Sequence, residues 1–181
     1  MIIIVGESET TNIAVAKQLS KFYGYEWIVP YTTRPPKSYE IDGEGYIFTS
    51  ELAFKGMAKC NNFYHIELKD GHKYGYPHID TKVKNCVLIA TPSSMRFYRN
   101  IIHEVTSVYL FLPYKTALLQ AVEKLSEFPT SQEIGEIFSD VMMLKGQYDG
   151  VENETDIFVD LRDNFSPKEI ADMIIELKED L

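Results

Sequence analysis

Short runs of apolar residues alternate along the chain with segments of helical periodicity. Residues 2–5 are wholly apolar and end at Gly6, a pattern typical of a buried parallel strand. After them, apolar residues recur at helical spacing until Gly24, which is a plausible helix end. Further apolar runs, each expected to form a strand, lie at residues 27–29, 86–90, 108–112 and 157–159. Strands separated by helices predict an α/β domain with a mainly parallel central sheet flanked by helices.

Other segments carry different signals. Residues 32–45 are rich in proline, glycine and charge, and they predict a loop. Between residues 46 and 76, aromatic-rich runs alternate with turn signals such as Lys69-Asp70-Gly71, which predicts a small antiparallel sheet. Ser166-Pro167-Lys168-Glu169 has the form of a capping box with proline at the first helical position. It predicts a closing helix whose apolar face comprises Ile170, Met173, Ile174, Leu177 and Leu181.

Composition and charge narrow the possible functions. The chain has 181 residues, of which 45% are apolar and 25% charged, as expected for one globular domain. Its formal net charge of −9 argues against general binding to nucleic acid or anionic membranes, although a local positive cluster can still hold a phosphate. The N-terminus lacks the pattern of a signal peptide, and no apolar stretch has transmembrane length. Cys60 and Cys86 lack metal-ligand spacing and fit a reducing compartment, so we expect a cytoplasmic protein without a metal site.

Residues 6–13 lie between the first strand and the first helix, where the P-loop of a nucleotide-binding domain belongs. A P-loop reads GxxxxGK[ST], in which backbone N–H groups and the lysine hold phosphates and the hydroxyl holds Mg²⁺. Thr11, Asn12 and Ile13 stand here at the second glycine, the lysine and the hydroxyl position. Glu7 and Glu9 add negative charge where a triphosphate would lie. We therefore favour a tight strand-to-helix connection over ordinary ATP binding for this segment. The residues of this degenerate P-loop are Gly6, Ser8, Thr11, Asn12 and Ile13.

A longer motif follows the second predicted strand. Thr32-Thr33-Arg34-Pro35-Pro36 precedes a basic residue, Lys37, and then come Glu40-Ile41-Asp42-Gly43 and Tyr46-Ile47-Phe48. This motif closely resembles the guanylate kinases, and the resemblance covers most of the chain, with a diverged region at about 92–153. It implies a P-loop nucleoside-monophosphate-kinase-like fold that forms a single domain, residues 1–181. Its parts are a core of residues 1–29 and 82–181, a subdomain for the monophosphate at about 30–81, and a lid-like region at about 114–149.

The resemblance implies that Arg34, Lys37, Tyr46 and Tyr74 grip the phosphate of a monophosphate ligand. Their chemistry agrees, because a guanidinium forks two hydrogen bonds to a phosphate, an ammonium adds charge and phenols donate. Lys37 stands where the family has an arginine, which keeps the charge and loses the fork. Pro30 replaces a serine, which removes one donor.

The positions that read the base depart from the family. His65 stands where the family has a glutamate for the guanine edge, and a neutral imidazole cannot accept from both guanine N–H groups. Glu67 lies on the same strand face and is a candidate substitute. Tyr76 replaces a serine or threonine that contacts guanine. A different base, a ligand without a nucleotide and an empty site all stay open.

The catalytic half departs further, and no catalytic residue is assigned. Thr91 stands where the family has an aspartate. The lid of the family brings arginines onto the transferred phosphate, and losing one such arginine costs ~10³–10⁵ in rate. Between Tyr114 and Asp149 this chain has no arginine; the basic residues there are Lys115, Lys124 and Lys145.

Three functions are compatible with these residues. The first is binding of a nucleoside monophosphate such as GMP, or of another phosphorylated ligand, with little or no kinase activity. The second is an active guanylate kinase with an atypical donor site, and it alone requires ATP and Mg²⁺. The third is a non-catalytic module for a phosphorylated protein partner, as in the guanylate-kinase-like domains of scaffold proteins. The eroded loop argues against the second, whereas the retained phosphate-gripping residues suit the first and third equally.

Overall fold

The computed structural model describes residues 1–79, 85–123, 130–144, 146–163 and 165–181. The strands are β1 (Ile2–Gly6), β2 (Glu26–Ile28), β3 (Tyr31–Thr32), β4 (Ile47–Phe48), β5 (Phe63–Lys69), β6 (His72–Pro77), β7 (Cys86–Ile89), β8 (Thr106–Phe111) and β9 (Ile157–Asp160). The α-helices are α1 (Glu9–Tyr23), α2 (Glu51–Lys59), α3 (Pro92–Ile101), α4 (Tyr114–Val122), α5 (Ser131–Leu144) and α6 (Pro167–Glu179).

The central sheet has the order β2-β7-β1-β8-β9, and all its neighbouring strands are parallel. The predicted α/β fold with a parallel central sheet is therefore confirmed. Ile2 and Ile4 pack into one core with α1 and α6, and Ile3 and Val5 pack into a second core with α3. A strand that is buried on both faces has to be apolar at every position, which is why residues 2–5 form a continuous apolar run. The carboxyl ends of β1 and β7 meet at the edge where ligands bind in such sheets.

A second sheet has four strands in the order β4-β3-β6-β5. The β3–β6 and β6–β5 pairs are antiparallel, whereas β3 and β4 are parallel, so the predicted antiparallel sheet was wrong in this pair. Thr32, predicted to begin a loop, belongs to β3 and is fully buried. β3 has only two residues, and it is ordered by pairing with segments distant in sequence. Such a strand has no periodicity of its own to detect.

α2 lies where the sequence predicted only strands and turns. Ser50 caps it by accepting a hydrogen bond from the Ala53 N–H at 3.2 Å. Phe54 is its buried residue, whereas Leu52 is 82% exposed. A helix with one buried apolar residue has little helical periodicity, so the capping serine was the available signal.

α6 begins at the predicted capping box, which is confirmed. The Ser166 hydroxyl accepts from the Glu169 N–H, and the Glu169 carboxylate accepts from the Ser166 N–H at 2.8 Å. Ile170 and Ile174 are fully packed into the core. The helix ends at Glu179, so Leu181, predicted on the apolar face, lies beyond it and is exposed.

α4 and α5 occupy the segment predicted as a lid. Lys115 belongs to α4, whereas Lys124, Lys145 and the predicted subdomain boundary at residues 81–82 lie outside the described residues. Within the described ranges, no helix is long and apolar enough to cross a membrane.

Candidate functional site

The connection between β1 and α1 is shorter than the sequence predicted. β1 ends at Gly6 and α1 begins at Glu9, so Glu7 and Ser8 alone lie between them. The expectation that residues 9–13 form a loop was therefore wrong. Ser8 caps α1 by accepting from the Thr11 N–H at 3.3 Å, and a serine cap starts a helix where it stands.

The space above Gly6 is filled by side chains of the chain itself. The Asn12 amide donates to the Gly6 carbonyl at 2.9 Å, and the Tyr148 hydroxyl donates to the same oxygen at 3.1 Å. Asn12 is buried, and its Oδ1 has no hydrogen-bond partner. A Cβ added to Gly6 would lie 2.6 Å from the Leu110 carbonyl oxygen and 2.7 Å from Asn12 Oδ1. Glycine is thus required here for close packing against β8 and α1.

Polar groups beside the connection are also paired internally. The Glu7 carboxylate accepts from the Tyr109 hydroxyl and, at 3.0 Å, from the Leu112 N–H. Burial raises the pKa of Glu7, and these hydrogen bonds oppose that rise. The Ser8 and Thr11 hydroxyls both donate to Gln120 Oε1 of α4, at 2.7 and 3.1 Å. The connection is therefore tied to β8 and α4.

A cavity of about 170 Å³ lies at the carboxyl ends of β1 and β7, next to the second sheet. Two of its basic residues follow β3, one tyrosine precedes β4, and another lies on β6. Gly6 and Asn12 form its floor beside these side chains. Of the residues predicted for ligand contact, those that line the cavity are Arg34, Lys37, Tyr46, Glu67, Tyr74 and Tyr76.

Arg34 lines this cavity, and its guanidinium forms an ion pair with Glu40. Its two terminal nitrogens fork onto the two carboxylate oxygens of Glu40, each at 2.7 Å, and the Arg34 side chain is only 16% exposed. The guanidinium also lies 5.7 Å from the ring centre of Tyr46 and 5.4 Å from that of Phe48. Burial lowers the pKa of Arg34, but the hydrogen bonds and charge of Glu40 outweigh it and raise the pKa above its usual value.

Glu40 is a residue whose role the sequence analysis missed. It belongs to the motif, six positions after Arg34, but the motif does not show which side chains pair with each other. Besides the fork, Glu40 accepts a hydrogen bond from the Lys37 backbone N–H at 2.6 Å. Burial raises the pKa of Glu40, but the hydrogen bonds from Arg34 and Lys37 dominate and lower it below its usual range.

Glu67 connects the second sheet to the start of α3. Its Oε1 accepts from the Thr91 hydroxyl at 2.8 Å and from the Ser94 hydroxyl at 2.9 Å. Thr91 is also the cap of α3, accepting from the Ser94 N–H at 3.1 Å. The carboxylate thus sits at a helix N-terminus, where negative charge is stabilised. His65 Nε2 lies 3.4 Å from the same oxygen without hydrogen-bond geometry.

The other two base-contact candidates are packed within the protein. Tyr76 is 1% exposed, and burial raises the pKa of its phenol, which is hydrogen-bonded to Ser94 and Thr91. His65 does not line the cavity; its ring stacks on Phe97 with 4.7 Å between ring centres. The structure therefore brings the phosphate candidates together with Glu67 and Tyr76 at one cavity, whereas His65 lies outside its lining.

Charges of both signs surround the cavity. Lys17, on α1, pairs with Glu44 at 2.7 Å. Near the cavity floor, a Cβ on Gly45 would lie 2.9 Å from Glu9 Oε1, which shows how closely Glu9 approaches the second sheet. Within the described residues, no group of three or more His, Cys, Asp and Glu side chains is arranged to hold a metal ion.

Three comparisons relate the chain to known proteins. The family model described as guanylate kinase matches residues 1–159. MAGUK p55 subfamily member 4 of Rattus norvegicus is 26% identical over 147 residues, which are 66% of this chain and 33% of that protein. Guanylate kinase of Clostridium tetani is 35% identical over 77 residues, 42% of this chain and 37% of that protein. The matched regions thus span about a third of the length of these relatives.

The fold has a relative among solved structures. The crystal structure of guanylate kinase from Anaplasma phagocytophilum superposes with a TM-score of 0.63, covering 99% of this chain and 84% of that chain. The identity is 15%, so this likeness concerns the fold alone.

Proposed function

The chain belongs to the guanylate kinase family, and we propose that it binds a phosphorylated ligand with little or no phosphoryl transfer. The ligand is a nucleoside monophosphate such as GMP or another small phosphate ester, and its phosphate lies against Arg34, Lys37, Tyr46 and Tyr74. One observation carries this proposal. These four side chains line a single cavity, while the Asn12 amide and the Tyr148 hydroxyl are hydrogen-bonded to the Gly6 carbonyl.

The chemistry of the cavity suits a phosphate. The Arg34 fork presents two parallel N–H groups at the spacing of two phosphate oxygens, a geometry that Glu40 already exploits. Lys37 lines the same cavity and adds a second positive charge. Tyr46 and Tyr74 lie edge to face, with 5.4 Å between ring centres, and bring two phenols to one side of it.

The β1–α1 connection, where the phosphate donor Mg-ATP would bind, lacks the groups that hold a triphosphate. Because α1 begins at Glu9, few backbone N–H groups are left in the connection to wrap a triphosphate. Asn12 occupies the lysine position and is bound to Gly6, and Ile13 has no hydroxyl for Mg²⁺. Phosphoryl transfer depends on positioned charges, and removing a single one costs ~10³–10⁵ in rate. We therefore expect negligible phosphorylation of GMP by Mg-ATP.

Calorimetry with GMP and with inorganic phosphate tests the binding. We expect saturable binding of GMP that Arg34→Ala weakens about 10- to 100-fold, since a charge-assisted hydrogen bond contributes ~1.5–3 kcal/mol. Arg96→Ala is the matched control, because Arg96 is half-exposed and pairs with Glu154 away from the cavity. Equal affinity of GMP for the protein and for Arg34→Ala contradicts the proposal. A coupled assay that gives ordinary kinase turnover with Mg-ATP contradicts its second half.

A phosphorylated peptide is the second candidate ligand. The match to a MAGUK p55 protein over 66% of this chain supports it, and so does the position of His65, which stacks on Phe97 and does not line the cavity. A phosphoserine peptide library measured beside GMP separates the two ligands. Peptide binding that depends on Arg34, together with no binding of GMP, favours the peptide.

A further inference from the structure

A second and larger cavity, of about 760 Å³, lies against the outer strands of the central sheet. β8 and β9 form its back, and the turn around residues 146–152 forms its rim. Tyr148 and Glu7 separate it from the Arg34 cavity, because both residues line the two cavities. Its volume falls within the range of about 300–1,000 Å³ that is usual for small-molecule sites.

Four aromatic rings form one continuous wall of this cavity. Tyr109 and Phe111 alternate on one face of β8, and Phe158 of β9 is the register partner of Tyr109. Tyr109 stacks on Tyr148 with 5.8 Å between ring centres, and Phe111 stacks on Phe158 with 6.0 Å. Phe158 remains 47% exposed. Phe111 and Tyr148 are half-buried and Tyr109 is buried, so the aromatic wall is open to solvent mainly at the edge strand β9.

The rim of the cavity is acidic. Its charged lining residues are Glu7, Asp149, Glu152, Asp160 and Arg162. Asp160 is paired with Arg162, with Nε–O distances of 2.9 and 2.8 Å, and Glu7 is bonded to Tyr109 and Leu112. Within the described residues, Asp149 and Glu152 make no hydrogen bond or ion pair. Two exposed carboxylates without a cationic partner among the described residues therefore line the same cavity as the rings.

The chain itself already places a cation on this wall. The Arg162 guanidinium lies 5.9 Å from the ring centre of Phe111 while its nitrogens bind Asp160. An aromatic face attracts cations through its negative quadrupole, and adjacent carboxylates strengthen that attraction. Arg162 therefore combines a ring contact with a carboxylate contact inside this cavity. Asp149 and Glu152 line the same cavity as Tyr148 and Phe158, so carboxylates and aromatic rings are available there to a further cation.

We propose that this cavity is a binding site for a small organic cation with a flat or apolar body, such as an amidinium or alkylammonium compound. The aromatic wall holds the body of the ligand, and Asp149 and Glu152 hold its charge. Its lining carries four carboxylates and a single guanidinium, which pairs with Asp160, so the charge of the site favours a cation over a phosphate compound. The site shares Glu7 and Tyr148 with the Arg34 cavity, but Asp149 and Glu152 belong to this cavity and do not line the other.

Benzamidinium and its neutral near-isostere benzamide are the probes, titrated into the full chain at pH 7 and followed by amide NMR shifts and calorimetry. We expect saturable shifts around residues 146–152 and 158 with benzamidinium, and binding of benzamide at least about tenfold weaker. The double variant Asp149→Asn/Glu152→Gln should weaken benzamidinium by about tenfold or more. The matched control Glu179→Gln/Asp180→Asn removes the same charge at the C-terminal end and should leave the affinity unchanged.

Phe158→Leu removes the ring while keeping apolar bulk, and it should weaken benzamidinium about 3- to 10-fold. Binding of GMP to the Arg34 cavity serves as the check that each variant is folded, with melting temperature as a second check. The proposal is overturned by equal binding of benzamide, by shifts that do not saturate, or by unchanged affinity in the Asp149/Glu152 variant. Asp149 and Glu152 are exposed, so their double variant is expected to fold. It tests the proposal even if Phe158→Leu fails to fold.

Discussion

At the scale of single residues, the proposed function depends on the fork between Arg34 and Glu40, because a phosphate would meet this ion pair in the cavity. Both guanidinium arms that a phosphate needs are bound to Glu40, which is itself held by the Lys37 N–H. A ligand has to displace a carboxylate of similar geometry, so its affinity is the difference between two charge-assisted interactions. Glu40 therefore acts as an internal competitor and as a support for the loop.

Glu40→Gln separates these two roles. The amide accepts from one arm of Arg34 only, so we expect the variant to be less stable by about 1–3 kcal/mol. We also expect inorganic phosphate to raise its melting temperature more than it raises that of the unmodified protein, because the competing charge is gone. Thermal denaturation with and without phosphate measures both effects. Glu51→Gln, at an exposed carboxylate that pairs with Lys73, is the control; an equal response to phosphate in all three proteins would refute this role of Glu40.

The lowered pKa of Glu40 has a consequence for stability against pH. In the folded protein its pKa lies below the ordinary value of 4.5, so the charged form stabilises the fold above that pH. The contribution is lost as the pH falls through the folded pKa. The difference in unfolding free energy between the protein and Glu40→Gln should be constant near neutrality and shrink as the pH falls below 4.5. Urea titrations across this range measure it, and a difference that grows on acidification contradicts the assignment.

At the scale of elements, the junction between β1 and α1 occupies the place where a P-loop would bind the phosphate donor. Ser8 starts the helix early, and Asn12, from the second turn of α1, reaches back to the Gly6 carbonyl. Gln120 holds the same junction to α4 through two hydroxyls. The segment is therefore a closed strand-to-helix turn in which the chain itself binds the Gly6 carbonyl and the Ser8 and Thr11 hydroxyls, whereas Asn12 Oδ1 has no partner among the described residues.

Gly6→Ala tests this packing. The new methyl group would lie 2.6 Å from a backbone oxygen of β8, which cannot move aside as a side-chain tip can. We expect a loss of about 1–3 kcal/mol, as for other overpacked sites. Gly56→Ala is the control, because a Cβ there meets nothing within 4 Å and alanine favours the α2 helix by about 0.5–1 kcal/mol. Chemical denaturation of both variants decides the point; a Gly6→Ala protein as stable as Gly56→Ala would show that the junction is loose.

At the scale of the whole molecule, two cavities lie beside the β1–α1 junction and share Glu7 and Tyr148. One gathers Arg34 and Lys37 at the carboxyl ends of β1 and β7, and the other presents aromatic rings and carboxylates beside β8 and β9. The Arg34 cavity is also lined by carboxylates, those of Glu7, Glu9, Glu67 and Asp70, and the net charge of the protein is −9. Under the proposed function, an anionic ligand is therefore bound by specific contacts and not by the general field of the protein.

A thermal-shift screen over nucleotides tests this division. GMP at about ten times its dissociation constant should add about 1.4 kcal/mol to the stability, a rise of about 3–6 °C for a domain of this size. Under the proposed function, Mg-ATP should give a smaller shift or none, because Asn12 and Ile13 stand where a P-loop has its lysine and hydroxyl. A larger shift with Mg-ATP than with GMP, abolished by Asn12→Asp, would show instead that the β1–α1 junction binds the triphosphate.

Periodicity predicted the central sheet well because its strands are buried on both faces and read as continuous apolar runs. It failed for β3 and α2, since the first is held by partners distant in sequence and the second buries little besides Phe54. The motif from Thr32 to Phe48 pointed to the family through its residues and their spacing, and the family match over residues 1–159 confirmed it. The roles of the cavity residues stay predictions.

The sequence by itself determined which chemical groups are present at the junction. It placed Asn12 and Ile13 where a P-loop has lysine and a hydroxyl, and it retained Arg34. Only the tertiary structure decided how those groups are used, because hydrogen bonds between distant segments leave no local pattern. The Tyr148 hydroxyl reaches Gly6 across 142 positions of sequence, and Gln120 reaches Ser8 across 112. The absence of a P-loop lysine is visible at one sequence position. The hydrogen-bonded junction, in contrast, forms only because β1, α1, α4 and the turn around residues 146–152 meet in the folded protein.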